Sequence, residues 1–239
     1  MMKKIYNCTS RLPMCSDEWE ATYLRFIRVV ANPKKFARVL QKWQLNPNAR
    51  ILDLCCGNGS GLDVFWNAGF RNVYGLDISR NFLRRVRKDV PVVLADAQAC
   101  PIRSGSFDVV IIHKALHHFF DHAPVLAEVK RMLKPDGFFC FIEPRKTWFR
   151  TLYHIVLMSP VAELFPPLAR MRQAALIEEG PTYFTWLDNA DAFFTMLEQQ
   201  FSFVVESRTD DIMHHIVKCR NLPHQYAAAA GHDEYEGLQ

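Results

Sequence analysis

Apolar and polar positions change period along this chain, and the changes mark out its elements. Between Asp17 and Leu45 apolar side chains recur at helical spacing. Trp19, Tyr23, Phe26, Ile27 and Val30 form one stripe, Phe36, Val39, Leu40 and Trp43 the next, and Asn32-Pro33 divides them. From Ile51 the pattern becomes short unbroken apolar runs separated by helical stretches. Ile51 to Leu54, Val73 to Leu76, Val92 to Ala95, Phe107 to Ile112 and Phe138 to Glu143 have the length and branching of buried strands. Residues 61–68 and 79–88, and a segment with Val125, Val129, Met132 and Leu133 on one face, read as helices. Ser79 and Asp121 serve as their caps and Lys134-Pro-Asp-Gly137 as a stop. This alternation predicts a parallel sheet. Residues 145–200 depart from it, with helices expected at 147–158, 161–178 and 188–199, an inserted cap rich in aromatic side chains. Phe201 to Glu206 and Ile212 to Lys218 supply an antiparallel closing pair of strands, and 221–239, lacking apolar periodicity, reads as a mobile tail.

The first strand runs into Asp53-Leu-Cys-Cys-Gly57-Asn-Gly59-Ser-Gly61, and the second ends at Asp77. Glycines at 57, 59 and 61 let a backbone turn sharply against a ligand. An acid about 20 residues past such a loop accepts ribose hydroxyls in nucleotide sites. A dinucleotide fingerprint would need its third glycine where Leu62 stands, so the pattern points to a nucleoside without a pyrophosphate.

Asp53-x-Cys55-x-Gly57-x-Gly59 resembles the first motif of class I S-adenosylmethionine-dependent methyltransferases, with Cys55 where the family usually has glycine. The substitution is mild if Cys55 remains strand-like. The resemblance extends over residues 45–145 through the strand ends Asp53, Asp77, Asp96 and His113. Glu128-Val-Lys-Arg-Met-Leu-Lys-Pro-Asp-Gly137 supports it as the segment before the fifth strand. It implies an α/β fold: a Rossmann-like, seven-stranded, mostly parallel sheet flanked by helices, with the last strand antiparallel and a helical substrate cap. The implied domains are an N-terminal helical cap at 1–44 and a cofactor domain at 45–220.

The resemblance also implies S-adenosylmethionine (SAM) as cofactor and S-adenosylhomocysteine (SAH) as product. Gly57 and Gly59 would approach the methionine part, Asp77 the ribose, Asp96 the adenine amine, Ala97 a ring nitrogen and His113 the methyl. Cys55, Asn58 and Ile78 would complete the wall, and Asp53 would order the loop or meet the ligand's ammonium through water. Tyr23, Arg25 and Arg28 are candidates for the methionine carboxylate.

Length and composition suit one main domain: 239 residues, 49% hydrophobic. The net charge of +4 is mild, and Arg80, Arg84, Arg85, Arg87 and Lys88 read as a solvated helix face rather than a nucleic-acid patch. Seven cysteines form no Cys-x-x-Cys pair and no zinc-like cluster, so no metal is expected. Without a secretory apolar region near Met1, the expected location is the cytoplasm. No transmembrane segment is expected either, since 152–168 is interrupted by His154, Pro160, Glu163 and Pro166-Pro167.

Acid–base candidates follow the fourth strand, where His113 and His117 lie in a loop facing the methyl donor, while His118 matches a structural position of the family. Tyr153 is a further catalytic candidate. Lys114-Ala-Leu-His117-His118 lacks both carboxylates of the metal-using quinone-ring O-methyltransferases. An Asn/Asp-Pro-Pro-Tyr segment and a Pro-Cys nucleophile pair, used on nucleic-acid bases, are missing as well. The expected acceptor is a small molecule with an apolar body, methylated at oxygen, with nitrogen and carbon open. Tyr153, His154, Tyr183 and Trp186 are its candidate contacts, whereas Phe165, Phe193 and Phe194 are expected to pack the cap. Two other readings stay open: a SAM-binding module without turnover, and an RNA or protein methyltransferase.

Overall fold

A computed structural model describes residues 5–7, 20, 24, 32–172 and 180–222. Its centre is a sheet of eight strands: β1 (Ile5–Asn7), β2 (Ile51–Leu54), β3 (Val73–Asp77), β4 (Val92–Leu94), β5 (Phe107–His113), β6 (Leu133–Pro144), β7 (Phe203–Arg208) and β8 (His214–Asn221). Their order is β1-β4-β3-β2-β5-β6-β8-β7. All neighbours are parallel except where β8 enters between β6 and β7, antiparallel to both. The seven expected strands are present. The eighth, β1, is too short to carry a period in sequence, and extends the edge through Ile5↔Val92 to Asn7↔Leu94.

The sheet is apolar on both faces, as a parallel sheet sandwiched by helices must be. On one face Leu52, Leu54, Val110, Ile112, Phe139 and Phe141 pack with α4 (Ala123–Met132) and α7 (Gly180–Gln199). On the other, Ile51, Val109, Ile111, Cys140 and Ile142 pack with α1 (Pro33–Trp43) and α2 (Ser60–Asn67). The period of two along β2, β5 and β6 sorts these side chains between layers. Asn32 starts α1 by accepting the Lys35 amide on its side chain, and Pro33 sits in the first turn, where its missing N–H costs nothing.

Several boundaries differ from expectation. The helix after Asp77 is only α3 (Arg80–Leu83), capped by Ser79. Beyond it, i→i+3 bonds from Arg85 and Val86 tighten the chain so that Val86 and Val90 turn inward before β4. Asp121 bonds the Ala123 amide, but His122 holds the N-cap position of α4. The expected stop at Lys134 to Gly137 already belongs to β6, because Leu133 pairs with Phe107 straight after the helix.

In the cap, α5 (Trp148–Met158) fits its expected span and is capped by Thr147. Of the single helix expected at 161–178, residues 173–178 lie outside the described residues, and the described part is a 3-10 turn (Pro160–Leu164) followed by α6 (Pro166–Arg172), with Pro166 and Pro167 starting the second piece. Helix α7 kinks at Asn189, and Tyr183 and Trp186 lie within it. Phe193 and Phe194 pack inward as expected, but Phe165 is 53% exposed. Helix α5 turns Arg150 inward and leaves Trp148, Leu152 and Ile155 outward. Among the described residues, no helix is long and apolar enough to cross a membrane.

Candidate active site

Strand order reverses between β3-β2 and β5-β6, which opens a crevice beyond the carboxyl ends of β2 and β5, the usual ligand site of such sheets. The register aligns the candidates there. One step past the paired Leu76, Leu54 and Ile112 come Asp77, Cys55 and His113, at the carboxyl ends of three neighbouring strands.

On the β2–β3 side, backbone amides hold Asp77. Gly57 donates to its Oδ2 at 2.7 Å and Ser79 to its Oδ1 at 2.8 Å. Burial nevertheless raises its pKa to about 6, with those amides working the other way and Glu20 adding to the rise. Glu20 was not singled out from the sequence. It is buried, accepts from Ser79 Oγ at 2.5 Å and from Asn81 Nδ2 at 2.7 Å, and so braces the turn after β3. A carboxylate inside an N-terminal apolar stripe was the one signal for it.

Asp53 is buried with Oδ1 unpartnered, and burial followed by the nearby Asp77 raises its pKa to about 8. A Cβ on Gly61 would lie 2.7 Å from Asp53 Oδ2. Gly61, inside α2, therefore serves close packing rather than a sharp turn. Gly57 (φ +53°) and Gly59 (φ +84°) do make the turn. Cys55 has φ +62°, so it is not strand-like, and a side chain occupies a left-handed position that glycine would take without cost.

The site fits the adenosyl cofactor of the resemblance. Gly57 opens onto space, with nothing within 4 Å of an added Cβ, and buried carboxyl groups at Asp53 and Asp77 border the same loop. Asp96 is half-buried just past β4, one oxygen accepting the Gln98 amide, with Ala97 buried beside it. Asn58 accepts from the Ser60 amide, and Ile78 is half-buried after Asp77. Tyr23, Arg25 and Arg28 lie outside the described residues.

On the β5–β6 side the histidines differ. His113 stacks on Phe36 (centroids 4.6 Å apart), and burial, followed by Lys114, His214 and Lys35, lowers its pKa to about 3. His117 is buried with Nδ1 2.7 Å from Glu143 Oε2. The other oxygen of the fully buried Glu143 accepts the amides of Ala115 and Leu116, both at 2.7 Å. Glu143 ends an apolar strand and carried no sequence signal for this pairing.

The edge of Tyr183 meets the His117 ring at 5.6 Å. Tyr183 is buried rather than open to the crevice, its hydroxyl accepting from Arg150 at 2.6 Å and lying 3.1 Å from His154 Nε2. Burial, followed by Arg150, lowers the His154 pKa to about 4, whereas burial raises that of the half-buried Tyr153. Trp186, expected among the acceptor contacts, is 1% exposed and donates to the Pro144 carbonyl at 2.8 Å, making it core. Among the described residues, no three His, Cys, Asp or Glu side chains group as a metal site.

Residues 52–141 match the protein-family model for a methyltransferase domain. The strand order and crevice around that segment are those of the class I SAM-dependent methyltransferase fold. The chain is 39% identical over 97 residues to a demethylmenaquinone methyltransferase of Lactococcus lactis, covering 36% of this chain and 38% of the relative. It is 35% identical over 118 residues to one of Renibacterium salmoninarum, covering 47% and 49%. The chain thus spans half or less of the length of these curated relatives. A crystal structure of a Methanococcus maripaludis protein assigned as an S-adenosyl-L-methionine-dependent methyltransferase aligns with TM-score 0.60 at 11% identity, covering 86% of this chain and 91% of that one, a likeness of fold.

Proposed function

We propose that this protein transfers the methyl group of SAM to a small, partly apolar organic acceptor, at oxygen or at an activated ring carbon. The observation that carries the reading is the alignment of Asp77, Cys55 and His113 beside the open face of Gly57. Bound there, SAM would supply a methyl on a positively charged sulfur, so the protein's part is positioning and exclusion of water. Asp77, ionised above pH 6, would accept the ribose hydroxyls, with Gly57 and Ser79 fixing its plane. Asp96 and Ala97 would border the adenine. Asp53, protonated at neutral pH, could donate a hydrogen bond to the ligand rather than add a second negative charge beside Asp77.

For proton transfer the reading favours His117 over His113. Glu143 orients the His117 ring through Nδ1, whereas His113 stays neutral at working pH and gives the methyl pocket an uncharged wall. The relatives' names make demethylmenaquinone the first acceptor to try, and the apolar cap suits such a ring. The test is calorimetric titration of the full chain with SAH, followed by transfer of labelled methyl from SAM to ring phenols and quinols. Binding with transfer to at least one acceptor supports the proposal. Failure of well-folded protein to bind SAH sinks it.

A further inference from the structure

Most of the large apolar side chains exposed among the described residues fall in one part of the chain, from Trp148 to Phe165. Helix α5 has a single charged residue, Arg150, and buries it: Nε donates to the Arg145 carbonyl at 2.8 Å and Nη1 to the Tyr183 hydroxyl at 2.6 Å. His154 is half-buried, its Nε2 3.1 Å from the same hydroxyl. With these polar groups turned inward, the helix leaves Trp148, Leu152 and Ile155 outward, at 73%, 51% and 60% exposure. The 3-10 turn and α6 pack against α5, and the exposed Val161, Leu164 and Phe165 extend the face. Glu163, the one acid between residues 148 and 168, is paired with Arg172.

An apolar patch of this kind marks a surface that meets another body, and its chemistry decides which. A specific protein partner needs hydrogen-bonding groups, roughly one bond per 100–200 Å² of contact. The exposed side chains of α5 offer it only the Trp148 indole and the Thr151 hydroxyl, and that hydroxyl already donates to the Thr147 carbonyl at 3.1 Å. A coiled-coil seam with a second copy needs at least about three heptads, whereas α5 ends after 11 residues at Ser159-Pro160. Side chains as exposed as Trp148 and Leu164 stand proud of the surface, and an acyl layer takes them in without a matching cavity. Lys146, just before the helix, forms an exposed ion pair with Asp188 at 2.7 Å, weak enough for a lipid phosphate to replace. The breaks that keep residues 152–168 from spanning a bilayer do not prevent them from lying about 5–10 Å deep in its surface.

We propose that α5, the 3-10 turn and α6 form a membrane-docking face: the protein rests on a lipid bilayer with Trp148, Leu152, Ile155 and Leu164 in the acyl layer and Lys146 at the phosphates. The face is one helix away from the site. Arg150 and His154, on the inner side of α5, bond Tyr183, whose ring edge meets His117 at 5.6 Å. A lipid-soluble acceptor would thus reach the crevice from the layer on which the cap rests. That last step rests on the methyltransferase reading, and the docking itself does not.

The experiment uses the full chain and vesicles of phosphatidylcholine, alone or with phosphatidylglycerol. Binding is read by co-flotation and by quenching of tryptophan fluorescence with brominated acyl chains. The protein is expected to float with both vesicle types and to stay bound in high salt, and Trp148→Phe should remove most of the quenching. Leu152→Glu combined with Ile155→Glu, at exposed positions outside the site, should weaken binding by at least about tenfold with SAH affinity unchanged. Leu152→Met with Ile155→Leu should retain it. Failure to float, binding abolished by salt, or a double glutamate variant that floats like the wild type overturns the inference. A dimer in light scattering that the glutamate variant splits, without flotation, assigns the face to a second copy and overturns it as well. All of these outcomes leave the methyltransferase reading standing, which falls only if well-folded protein does not bind SAH.

Discussion

The two walls of the crevice are built with opposite charge and by opposite means. On the β2–β3 side Asp53 and Asp77 are buried within one strand-loop-strand unit braced by the buried Glu20, and the backbone amides of Gly57 and Ser79 hold the central carboxylate. On the β5–β6–β8 side Lys35, Lys114 and Arg150 come from distant elements and outnumber the acids Glu143 and Asp211, and side-chain contacts hold Lys35 to His214 and Asp211 and Arg150 to Tyr183. Amides fix a carboxylate with little entropy left to lose, whereas long cationic side chains must be held by packing. The acid wall therefore suits a constant ligand, the positively charged cofactor, and the basic wall suits the ligand that varies across methyltransferases, the acceptor.

The sharpest way to break this comparison is at Asp77. Asp77→Ala removes the proposed acceptor of the ribose hydroxyls and releases the amides of Gly57 and Ser79. Hydrogen bonds to a charged group are worth about 1.5–3 kcal/mol each, so SAH affinity should fall by about 100-fold or more. Calorimetry that finds less than a tenfold loss would detach the acid wall from cofactor binding.

Next in size is Glu143→Gln, which tests whether the basic side depends on its buried acid. The amide keeps an oxygen for Ala115 and Leu116, but presents a neutral group to His117 in a fully buried site. Loss of a buried charged hydrogen bond should cost about 2–3 kcal/mol in chemical denaturation and lower kcat more than cofactor affinity. Equal losses in kcat and in SAH binding would make Glu143 a general structural support rather than a positioning residue for His117.

The same asymmetry explains what could be read from the chain. The acid wall was legible because its parts are local: Asp53, Gly57, Gly59 and Asp77 lie within one strand-loop-strand unit whose glycine spacing is set by backbone geometry. Even there the conformation of Cys55 was hidden, since nothing in the apolar run shows that β2 ends at Leu54 and the next residue is left-handed. The basic wall was illegible because residues 35, 114, 150 and 214 come together only through topology, and no motif marked Arg150. Trp186 misled for a related reason. Its amphipathic ring suited a pocket, but within α7 it packs into the core and its N–H is taken by the Pro144 carbonyl.

A smaller effect follows from acidity. Burial leaves the Asp77 pKa at about 6 in the free protein, and ligand hydroxyls favour its ionised form. SAH affinity should therefore weaken about tenfold between pH 7 and pH 5 as Asp77 takes up a proton, which is released again on binding. Stability moves the other way. A carboxyl whose folded pKa is raised binds protons more tightly when folded, so Asp77 destabilises the free protein as pH rises from about 4 to 6. Asp53 continues the trend to about 8. Thermal melts with and without SAH across this range should diverge as pH rises, whereas parallel curves would place the titrating group outside the site.

The smallest expected effect has the opposite sign and concerns the residue between the two walls. Cys55, at φ +62°, carries a Cβ where the left-handed backbone disfavours one by about 1 kcal/mol or more. Cys55→Gly relieves that strain, while the greater freedom of glycine in the unfolded chain takes back about 0.5–1 kcal/mol. The net gain should be less than about 1 kcal/mol, a rise in Tm of about 1–3 °C. A fall in Tm would mean that the packing of the thiol against the core beside the α4 and α7 layer outweighs the strain. In that case the cysteine is held here by its contacts, and the family's glycine would leave a cavity under the cofactor loop.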